Sequence, residues 1–271
     1  MKLSNALEMV ASTDSGLIRS HNEDAVFVDA ELGIALLADG MGGYKAGEVA
    51  SGMATTLLAS NFGRVIPTLE AEAAGSLLAA EDLVASEVAV ANSAIYNAAI
   101  SQPQYAGMAT TLVVAWFYDN RMIVGHLGDS RLYRLRGEHF EQLTRDHSLL
   151  QEQLDSGMIT VEEARYSENK NLVTRGLGVD PEVETEIHDY DVQTGDIVLL
   201  CSDGLSDMVE DAEIAITLQT LGGELNLAAT HLVHLANEHG GRDNISVILV
   251  KIKGEFASPR GWWRKLLAGL K

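Results

Sequence analysis

Short apolar runs bounded by turn residues alternate along this chain with longer stretches that carry apolar residues at helical spacing. The runs are rich in Val, Ile, Leu and aromatic residues, a composition and length typical of β-strands. They cover Leu7–Thr13, Ala25–Asp29, Gly33–Ala38, Thr111–Tyr118, Met122–Leu127, Arg131–Arg136, Asp196–Cys201 and Ile245–Ile252. The helical spacing predicts four helices, over Ala46–Phe62, Ser76–Ile100, Asp211–Leu221 and Glu224–His239.

The order of these elements predicts an α+β fold. Strands that follow one another through tight turns, such as the turn Tyr118–Arg121, pair antiparallel. The helices fall between groups of strands, so we expect a four-layer αββα sandwich with two central antiparallel β-sheets flanked by helices. The chain has 271 residues, 46% of them hydrophobic, which is enough to bury a large core in one domain.

Two segments differ from this pattern. Residues 144–178 are polar and lie between two groups of strands, so they form either a functional lid or a surface insertion without a role. Residues 255–271 combine four cations with an apolar helical face made of Trp262, Trp263, Leu266, Leu267 and Leu270. This basic amphipathic tail is either a weak membrane or protein docking helix, or a helix that packs back on its own domain.

The charge balance narrows the possible partners. The chain carries 19 Lys and Arg against 39 Asp and Glu, a formal net charge of −20. Such a field repels nucleic acid and attracts cations, so no nucleic-acid partner is expected. The single cysteine, Cys201, excludes an intrachain disulfide. The N-terminus lacks the pattern of a signal peptide and no apolar stretch of about 18 residues is evident, so we expect a cytoplasmic protein.

Acidic residues recur in turns next to the predicted strands. The five motifs are Arg19–Asp24, Asp39–Gly43, Gly128–Arg131, Asp203–Asp207 and Arg242–Asn244. Each motif alone is typical of an ordinary turn, because Asp caps its own backbone and Gly accepts a positive φ. Asp39 and Asp203, however, follow apolar runs that end at the edge of the core, where an unpaired carboxylate is costly.

Several carboxylates that converge at such an edge need a cation, and oxygen ligands suit Mg²⁺ or Mn²⁺. A pair of these ions can bridge a water, lower its pKa and hold both oxygens of an in-line phosphoryl displacement. Arg19 lies within the first motif and offers a planar guanidinium to a phosphate. These residues therefore indicate metal-dependent phosphoryl chemistry.

In this order, the motifs resemble the metal-dependent protein phosphatase family, the type 2C phosphatases, in its compact bacterial form. The resemblance runs from about Ser12 to Ile252. It rests on Arg19 with Asn22-Glu23-Asp24, Asp39-Gly40-Met41-Gly42-Gly43, Ala109-Thr110-Thr111, Gly128-Asp129-Ser130-Arg131, Asp146-His147-Ser148, Thr174-Arg175, Ser202-Asp203-Gly204-Leu205 with Asp207, and Arg242-Asp243-Asn244-Ile245-Ser246-Val247. It implies a serine/threonine phosphatase domain over residues 1–254, with residues 144–178 as its flap, followed by the tail 255–271.

The resemblance also implies a binuclear centre of Mn²⁺ or Mg²⁺. Asp39 would bridge the two core ions, and the carbonyl of Gly40 would be a further ligand. Asp203 and Asp243 would complete the centre from the other sheet. A water or hydroxide that bridges the ions would then attack the phosphorus in line.

Five further residues receive roles by the same resemblance. Asp129 and Asp207 would hold a third, weaker ion. Glu23 and Asp24 would act mainly through metal-bound waters. Arg19 would bind the phosphate of the substrate.

The chain departs from the family pattern at two places. Some eukaryotic members have a histidine, proposed as the general acid, where this chain has Met41, and a thioether cannot donate a proton. The leaving group must then be protonated otherwise, for instance by a metal-bound water. Within the flap, Ser167–Asn171 stands where bacterial relatives often have His-Pro-x-Arg-Asn. His147 is expected to be a hinge or hydrogen-bonding residue of the flap.

The leading hypothesis is an enzyme that hydrolyses phosphoserine and phosphothreonine in proteins. By resemblance, its partners would be phosphorylated proteins and a cognate Ser/Thr kinase, and the enzyme would be a monomer. One alternative is a regulatory phosphatase with a single partner. The other is a metal-free pseudophosphatase that acts as a binding module, against which the retention of Asp39, Asp203 and Asp243 argues.

Overall fold

The computed structural model describes residues 3–43, 46–72, 77–164 and 172–257, which contain eleven strands and eight α-helices. The strands are β1 Leu7–Asp14, β2 Asp24–Asp29, β3 Ile34–Met41, β4 Ala109–Thr110, β5 Leu112–Tyr118, β6 Arg121–Leu127, β7 Arg131–Arg136, β8 His139–Gln142, β9 Glu186–Asp191, β10 Ile197–Cys201 and β11 Ile245–Ile252. The helices are α1 Leu3–Ala6, α2 Ala46–Glu72, α3 Leu77–Ser101, α4 Leu149–Asp155, α5 Val161–Ala164, α6 Asp203–Ser206, α7 Asp211–Leu221 and α8 Leu225–Glu238.

The strands form two sheets. Within each sheet, every pair of neighbouring strands is antiparallel. One sheet has the order β1-β11-β10-β7-β8. The other has the order β2-β3-β5-β6-β9, with the short strand β4 paired to the end of β3. Helices α2 and α3 pack on the outside of the second sheet, and α7 and α8 pack on the outside of the first. The predicted four-layer αββα sandwich is confirmed.

The central strands are buried on both faces, which is why they read as continuous apolar runs. In β3, Ile34, Leu36 and Ala38 pack in the cluster that contains α2 and α3. The alternate residues Ala35 and Leu37 pack in the layer between the two sheets. Since side chains alternate across a strand, each central strand contributes to two hydrophobic layers. A fully buried Leu or Ile side chain contributes about 1.5–3 kcal/mol to the stability of the fold relative to an exposed one.

The hairpin between β5 and β6 turns at the predicted position. Asp119 and Asn120 have φ values of 48° and 60°. Positive φ at both central residues is the geometry of a type I′ turn, whose twist matches that of the strands it joins. Asp and Asn accept this left-handed conformation more readily than other non-glycine residues.

Helix α3 contains the stretch Ala79–Ser101, which is long and apolar enough to cross a membrane when judged by length and composition alone. Such a stretch differs from the expectation that the chain has no apolar run of about 18 residues. In the fold, Val84, Val88 and Ile95 on one face of this helix are buried in the cluster shared with α2. The apolar side chains on this face of α3 therefore form part of the hydrophobic core beneath the outer helical layer of the sandwich.

The segment 144–178 is fastened to the body of the molecule at both ends. Near its start, the backbone N–H of His147 donates to the carbonyl of Gly128 at 2.8 Å. Near its end, Leu177 and Thr110 exchange two backbone hydrogen bonds of 2.8 and 3.0 Å. Both contacts involve residues next to the acidic motifs, so the segment borders the end of the sandwich where those motifs lie.

Two parts of the predicted pattern fall outside the described residues. They are the flap stretch Ser167–Asn171 and almost all of the tail 255–271, of which the structure describes only residues 255–257. The alternatives for the tail therefore stay open.

Candidate metal centre

Strands β2 and β3 bring two aspartates side by side at one end of the sandwich. Asp24 and Asp39 are direct cross-strand partners. Because Leu37 faces the layer between the sheets, Asp39, two residues further on, points to the same side. Val26 likewise places Asp24 on that side. Both carboxylates therefore lie where the layer between the sheets opens to the surface.

The other sheet supplies two more aspartates at the same end. Asp203 begins helix α6 just after β10, and Asp243 lies just before β11, the neighbour of β10. The two loops approach closely: a Cβ on Gly204 would come within 2.0 Å of the carbonyl oxygen of Asn244. Only glycine fits at position 204, which explains the Asp-Gly pair in physical terms.

A cavity of about 210 Å³ lies between these strand ends. Most of the residues predicted for the metal and phosphate site line it, together with a few neighbours. They are Arg19, Glu23, Asp39, Gly40, Met41, Gly42, Thr111, Asp129, Val173, Asp203, Asp243 and Asn244. An adjoining cavity of about 340 Å³ is lined by Asp129, Asp203 and Asp207 and reaches α4 and α5 of the flap. Asp24 does not line either cavity and lies behind Asp39.

Asn244 joins the two loops, a role that its sequence motif does not predict. Its side-chain oxygen accepts a hydrogen bond from the backbone N–H of Glu23 at 2.8 Å. Its amide nitrogen donates to the carbonyls of Ser15 and His21, each at 3.0 Å. A buried amide that satisfies three backbone groups fixes the Arg19–Asp24 loop against β11. The signal in the sequence is an Asn directly after Asp243 and before a largely apolar strand.

The β3 end is held by close backbone packing. The N–H of Gly40 donates to the carbonyl of Glu23 at 3.1 Å. A Cβ on Gly40 would lie 2.1 Å from the carbonyl oxygen of Gly47 in helix α2. The hydroxyl of Thr110 donates to the carbonyl of Asp39 at 2.8 Å. These contacts leave little freedom to the backbone that carries Asp39.

Burial and mutual repulsion disfavour the ionised form of the carboxyl groups in this cluster when no cation is present. Burial raises the pKa of Asp39 well above its ordinary value, and the charges of Asp24 and Asp203 add to the shift. Burial also raises the pKa of Asp203 well above its ordinary value, with the charge of Asp129 next in importance. The pKa values of Asp24 and Asp129 rise to about 6, again chiefly through burial. Without a cation, the protein therefore favours protonated carboxyls here.

Two carboxylate oxygens in the cluster are buried without a hydrogen-bond partner. They are Oδ1 of Asp24 and Oδ1 of Asp203. The other oxygen of Asp24, Oδ2, accepts a hydrogen bond from the hydroxyl of Ser202 at 2.9 Å. Buried, unpartnered oxygens among several like charges fit divalent cations that prefer oxygen ligands, as Mg²⁺ and Mn²⁺ do. The donor set therefore suits the metal ions that the sequence predicts.

Arg19 lies at the mouth of the cluster. Its guanidinium nitrogen is 2.6 Å from Oδ2 of Asp243, and its side chain is 52% exposed. Hydrogen bonding to Asp243 raises the pKa of Arg19 above its ordinary value, so the group is cationic at any physiological pH. A guanidinium that is both exposed and directed at the acidic cluster can bind an incoming phosphate.

Next to Asp129 lies a partly buried ion pair. Arg131 donates three hydrogen bonds to the carboxylate of Asp146, at 2.7 to 3.1 Å. The guanidinium also donates to the hydroxyl of Tyr133, which in turn donates to Asp211, each at 3.1 Å. This chain of contacts ties β7 to the start of the flap and to α7. It explains the Asp-His-Ser and Gly-Asp-Ser-Arg motifs as one structural unit beside the cluster.

The stabilising effect of Mn²⁺ is expected to grow with pH. In the metal-free protein the pKa values of Asp24 and Asp129, about 6, exceed their ordinary value of 3.8. The stability that these carboxyls contribute is complete below pH 3.8 and is lost as the pH rises through 6. Mn²⁺ must displace their protons below pH 6, whereas above it the ion meets ionised carboxylates. We expect Mn²⁺ to raise Tm several degrees more at about pH 7.5 than at about pH 5.5.

Scanning calorimetry with Mn²⁺ and with EDTA at both pH values measures this difference. The variant Asp39→Asn serves as the control, and it should lose most of the Mn²⁺-dependent increase in Tm. An increase that is the same at both pH values would contradict the assignment of the raised pKa values to metal-binding carboxyls.

A family model described as Protein phosphatase 2C matches residues 19–234 of this chain. The serine/threonine phosphatase Stp of Listeria innocua is 40% identical over 242 residues, which cover 88% of this chain and 93% of that protein. A crystal structure of the serine/threonine phosphatase PstP of Mycobacterium tuberculosis has a TM-score of 0.81 at 38% identity and covers 92% of this chain and 99% of that chain. A structure of the catalytic domain of PstP in complex with two manganese ions has a TM-score of 0.80 at 39% identity, with the same coverage.

Proposed function

We propose roles for individual residues from one premise: this chain belongs to the protein phosphatase 2C family and is a metal-dependent serine/threonine protein phosphatase that acts on phosphoproteins. Its cofactors are Mn²⁺ or Mg²⁺. The assignment of roles to residues rests on one observation: buried carboxylates from both sheets converge beside the exposed guanidinium of Arg19.

Two core ions would be held by Asp39, Asp203 and Asp243 together with the carbonyl of Gly40. This assignment is supported by the unpartnered Oδ1 of Asp203 and by the burial and repulsion that raise the pKa of Asp39. When bound, the ions supply a hydroxide nucleophile near neutral pH and neutralise charge on the phosphoryl oxygens.

The outer acidic residues would support this centre. Asp129 and Asp207 would hold a third ion, because both line the larger cavity next to Asp203. Glu23 and Asp24 would act mainly through waters. Glu23 lines the cavity, whereas Asp24 lies behind Asp39 and does not line it. The hydroxyl of Ser202 keeps the Asp24 carboxylate in place through its hydrogen bond of 2.9 Å.

Arg19 would bind the substrate phosphate and orient it for in-line attack. In the structure its guanidinium is paired with Asp243. Metal ions at Asp243 would compete for that carboxylate, and a phosphate dianion would then provide the partner for the guanidinium. The arrangement couples phosphate binding to metal binding through one carboxylate.

The leaving alkoxide must receive its proton from water. Met41 lines the cavity but has no proton to donate. No histidine is among the described residues that line this cavity. His21, two residues after Arg19, has its Nε2 3.2 Å from the carboxylate of Glu23, in the loop beside the cavity. A water at the open mouth of the cavity therefore serves as the proton source in this proposal.

Replacing Arg19 with alanine is expected to raise KM for a phosphothreonine peptide about 10- to 100-fold, because hydrogen bonds to a charged phosphate contribute about 1.5–3 kcal/mol. Arg19→Lys should have an intermediate effect, since an ammonium keeps the charge but loses the planar fork. Steady-state kinetics at saturating Mn²⁺ measures both constants.

Arg121→Ala provides the matched control. Arg121 forms the same kind of ion pair with Asp189 at the opposite end of β6 from the cluster. Its loss should leave KM unchanged. If Arg19→Ala and Arg121→Ala had equal KM values, the phosphate-binding role of Arg19 would be wrong.

The biological setting extends the proposal. A cytoplasmic, monomeric enzyme that opposes a cognate Ser/Thr kinase fits the acidic surface and the family. A regulatory phosphatase with a single partner would instead act on one phosphoprotein and leave unrelated phosphothreonine peptides untouched. A peptide panel with several unrelated sequences separates the two functions.

A further inference from the structure

A second group of metal-ligating side chains lies beside the flap, outside the acidic cluster. It consists of His126 on β6, Glu186 on β9 and His147 at the start of the flap. One potential ligand atom from each lies within 4.8 Å of the others. His126 and Glu186 are direct cross-strand partners, so they share a face of the sheet. The rings of His126 and His147 stack with their centroids 4.4 Å apart.

His126 is oriented as a metal ligand. Its Nε2 lies 2.7 Å from the carbonyl oxygen of Arg145, which can only accept a hydrogen bond, so Nε2 carries the proton. The lone pair is therefore on Nδ1, which is buried and has no hydrogen-bond partner. Metal-binding histidines commonly donate one ring N–H to a carbonyl and coordinate through the other nitrogen. Burial also lowers the pKa of His126, which keeps the ring neutral.

Glu186 supplies a negative charge at the same place. Its two oxygens contact Nε2 of His147 at 3.1 Å and Nε2 of His188 at 2.7 Å. Burial opposes ionisation, but the hydrogen bonds from His188 and His147 lower the pKa of Glu186 to about 2. A carboxylate in this state accepts a cation at any physiological pH.

We propose that Nδ1 of His126, Nε2 of His147 and the carboxylate of Glu186 bind a zinc ion. Two imidazoles and a carboxylate form a ligand set typical of Zn²⁺, whereas Mg²⁺ and Mn²⁺ favour the oxygen-only set of the acidic cluster. Tetrahedral ligands about 2.0–2.1 Å from zinc lie about 3.3 Å from one another. Because the lone pairs of an imidazole lie in the ring plane, the nearly parallel rings of His126 and His147 would have to rotate out of their present stack for both nitrogens to face one ion.

Zinc binding at this site would change the contacts of His147. Its Nδ1 now accepts a hydrogen bond from the N–H of Gly128 at 3.2 Å. Coordination through Nε2 moves the ring proton to Nδ1, which then faces that N–H as a second donor. Gly128 directly precedes Asp129. Zinc binding would therefore shift the turn that carries Asp129. The effect on turnover rests on the proposed role of Asp129, whereas zinc binding itself does not.

Cobalt(II) is the probe for this site, because four-coordinate Co²⁺ with nitrogen ligands absorbs visible light far more strongly than Co²⁺ in an oxygen-only octahedral site. The full-length protein is titrated with Co²⁺ in excess Mg²⁺, and Zn²⁺ is then added as a competitor. We expect one equivalent of strongly absorbing Co²⁺ that Zn²⁺ displaces. The His126→Asn and Glu186→Gln variants should bind Co²⁺ at least about 10-fold more weakly.

Two controls make the result specific. His234→Asn removes a histidine from an exposed His–Glu pair on α8 and should leave the band unchanged. Asp39→Asn should also retain it, which separates this site from the acidic cluster. If His126→Asn fails to fold, the Glu186→Gln variant tests whether this cluster binds the ion. Glu186 is a half-buried residue on an edge strand, so its replacement should not prevent folding. Absence of the band in the native protein, or its persistence in Glu186→Gln, would overturn the proposal.

Discussion

Asp39→Asn is expected to lower kcat for a phosphothreonine peptide at least about 10³-fold at saturating Mn²⁺, which corresponds to a barrier increase of about 4 kcal/mol. The amide has the shape of the carboxylate but no negative charge. Asp39 lies at the centre of the cluster, where Asp24, Asp203, Asp129 and Asp243 all act on its carboxyl electrostatically. No other side chain can take its place, because the backbone of β3 is fixed by Glu23 and Thr110 on its two sides.

Two matched variants separate this effect from general damage to the hairpin of β2 and β3. Asp29→Asn changes the opposite end of β2, where Asp29 accepts hydrogen bonds from two backbone N–H groups and an asparagine oxygen can do the same. Met41→Ala changes the cavity wall two residues from Asp39. Both variants should keep kcat within a few-fold of the native value. Were Met41→Ala as damaging as Asp39→Asn, water as the source of the leaving-group proton would be wrong.

The fold could be predicted from the sequence wherever burial controls the pattern. Strands β3, β5, β6, β10 and β11 are buried on both faces, and their apolar runs identify them with ends correct to within three residues, the largest difference being the end of β3. Helix α7 has the predicted bounds, whereas α2 continues ten residues beyond the predicted end at Phe62 to Glu72. The extension contains Gly63 and Pro67, which disfavour a helix interior, so the sequence gives little indication of it.

Two of the edge strands, β8 and β9, are missing from the prediction because their sequences are polar. Strand β9, Glu186–Asp191, has three acidic residues and a histidine among its six positions, and none of the six is buried. Strand β8, His139–Gln142, has four residues. Pairing with a neighbouring strand, rather than composition, makes these segments extended. The His126–Glu186 pair likewise cannot be predicted, because the cross-strand register cannot be obtained from one sequence.

For the candidate site, the sequence predicts which aspartates stand at strand ends but not how they pair. That Asp39 and Asp203 lie at the edge of the core follows from the apolar runs before them. The cross-strand pairing of Asp24 with Asp39, and the ion pair of Arg19 with Asp243, depend on the register of β2 with β3 and on the loop before β11. The same register leaves Oδ1 of Asp24 buried and without a partner.

Removal of metal is expected to abolish turnover of the native enzyme, with a loss of at least about 10³-fold in EDTA and full recovery in excess Mn²⁺. Without ions, burial and mutual repulsion favour protonated carboxyls at Asp39 and Asp203, and Asp243 pairs with Arg19. In the proposed mechanism, the nucleophile and the guanidinium of Arg19 are then lost together. Hydrolysis of a phosphothreonine peptide in EDTA, in EDTA preloaded with Mn²⁺ and after addition of excess Mn²⁺ measures the effect.

Circular dichroism in EDTA distinguishes loss of the ions from loss of the fold. The hydrophobic layers between and outside the sheets do not involve the cluster, so the secondary structure should be retained. EDTA preloaded with Mn²⁺ should leave turnover unchanged, which excludes a direct effect of the chelator. Turnover that persists in EDTA would contradict the binuclear centre. An absence of turnover in every condition, with the fold intact, would instead support the metal-free binding module, because such a protein keeps the sandwich without the chemistry.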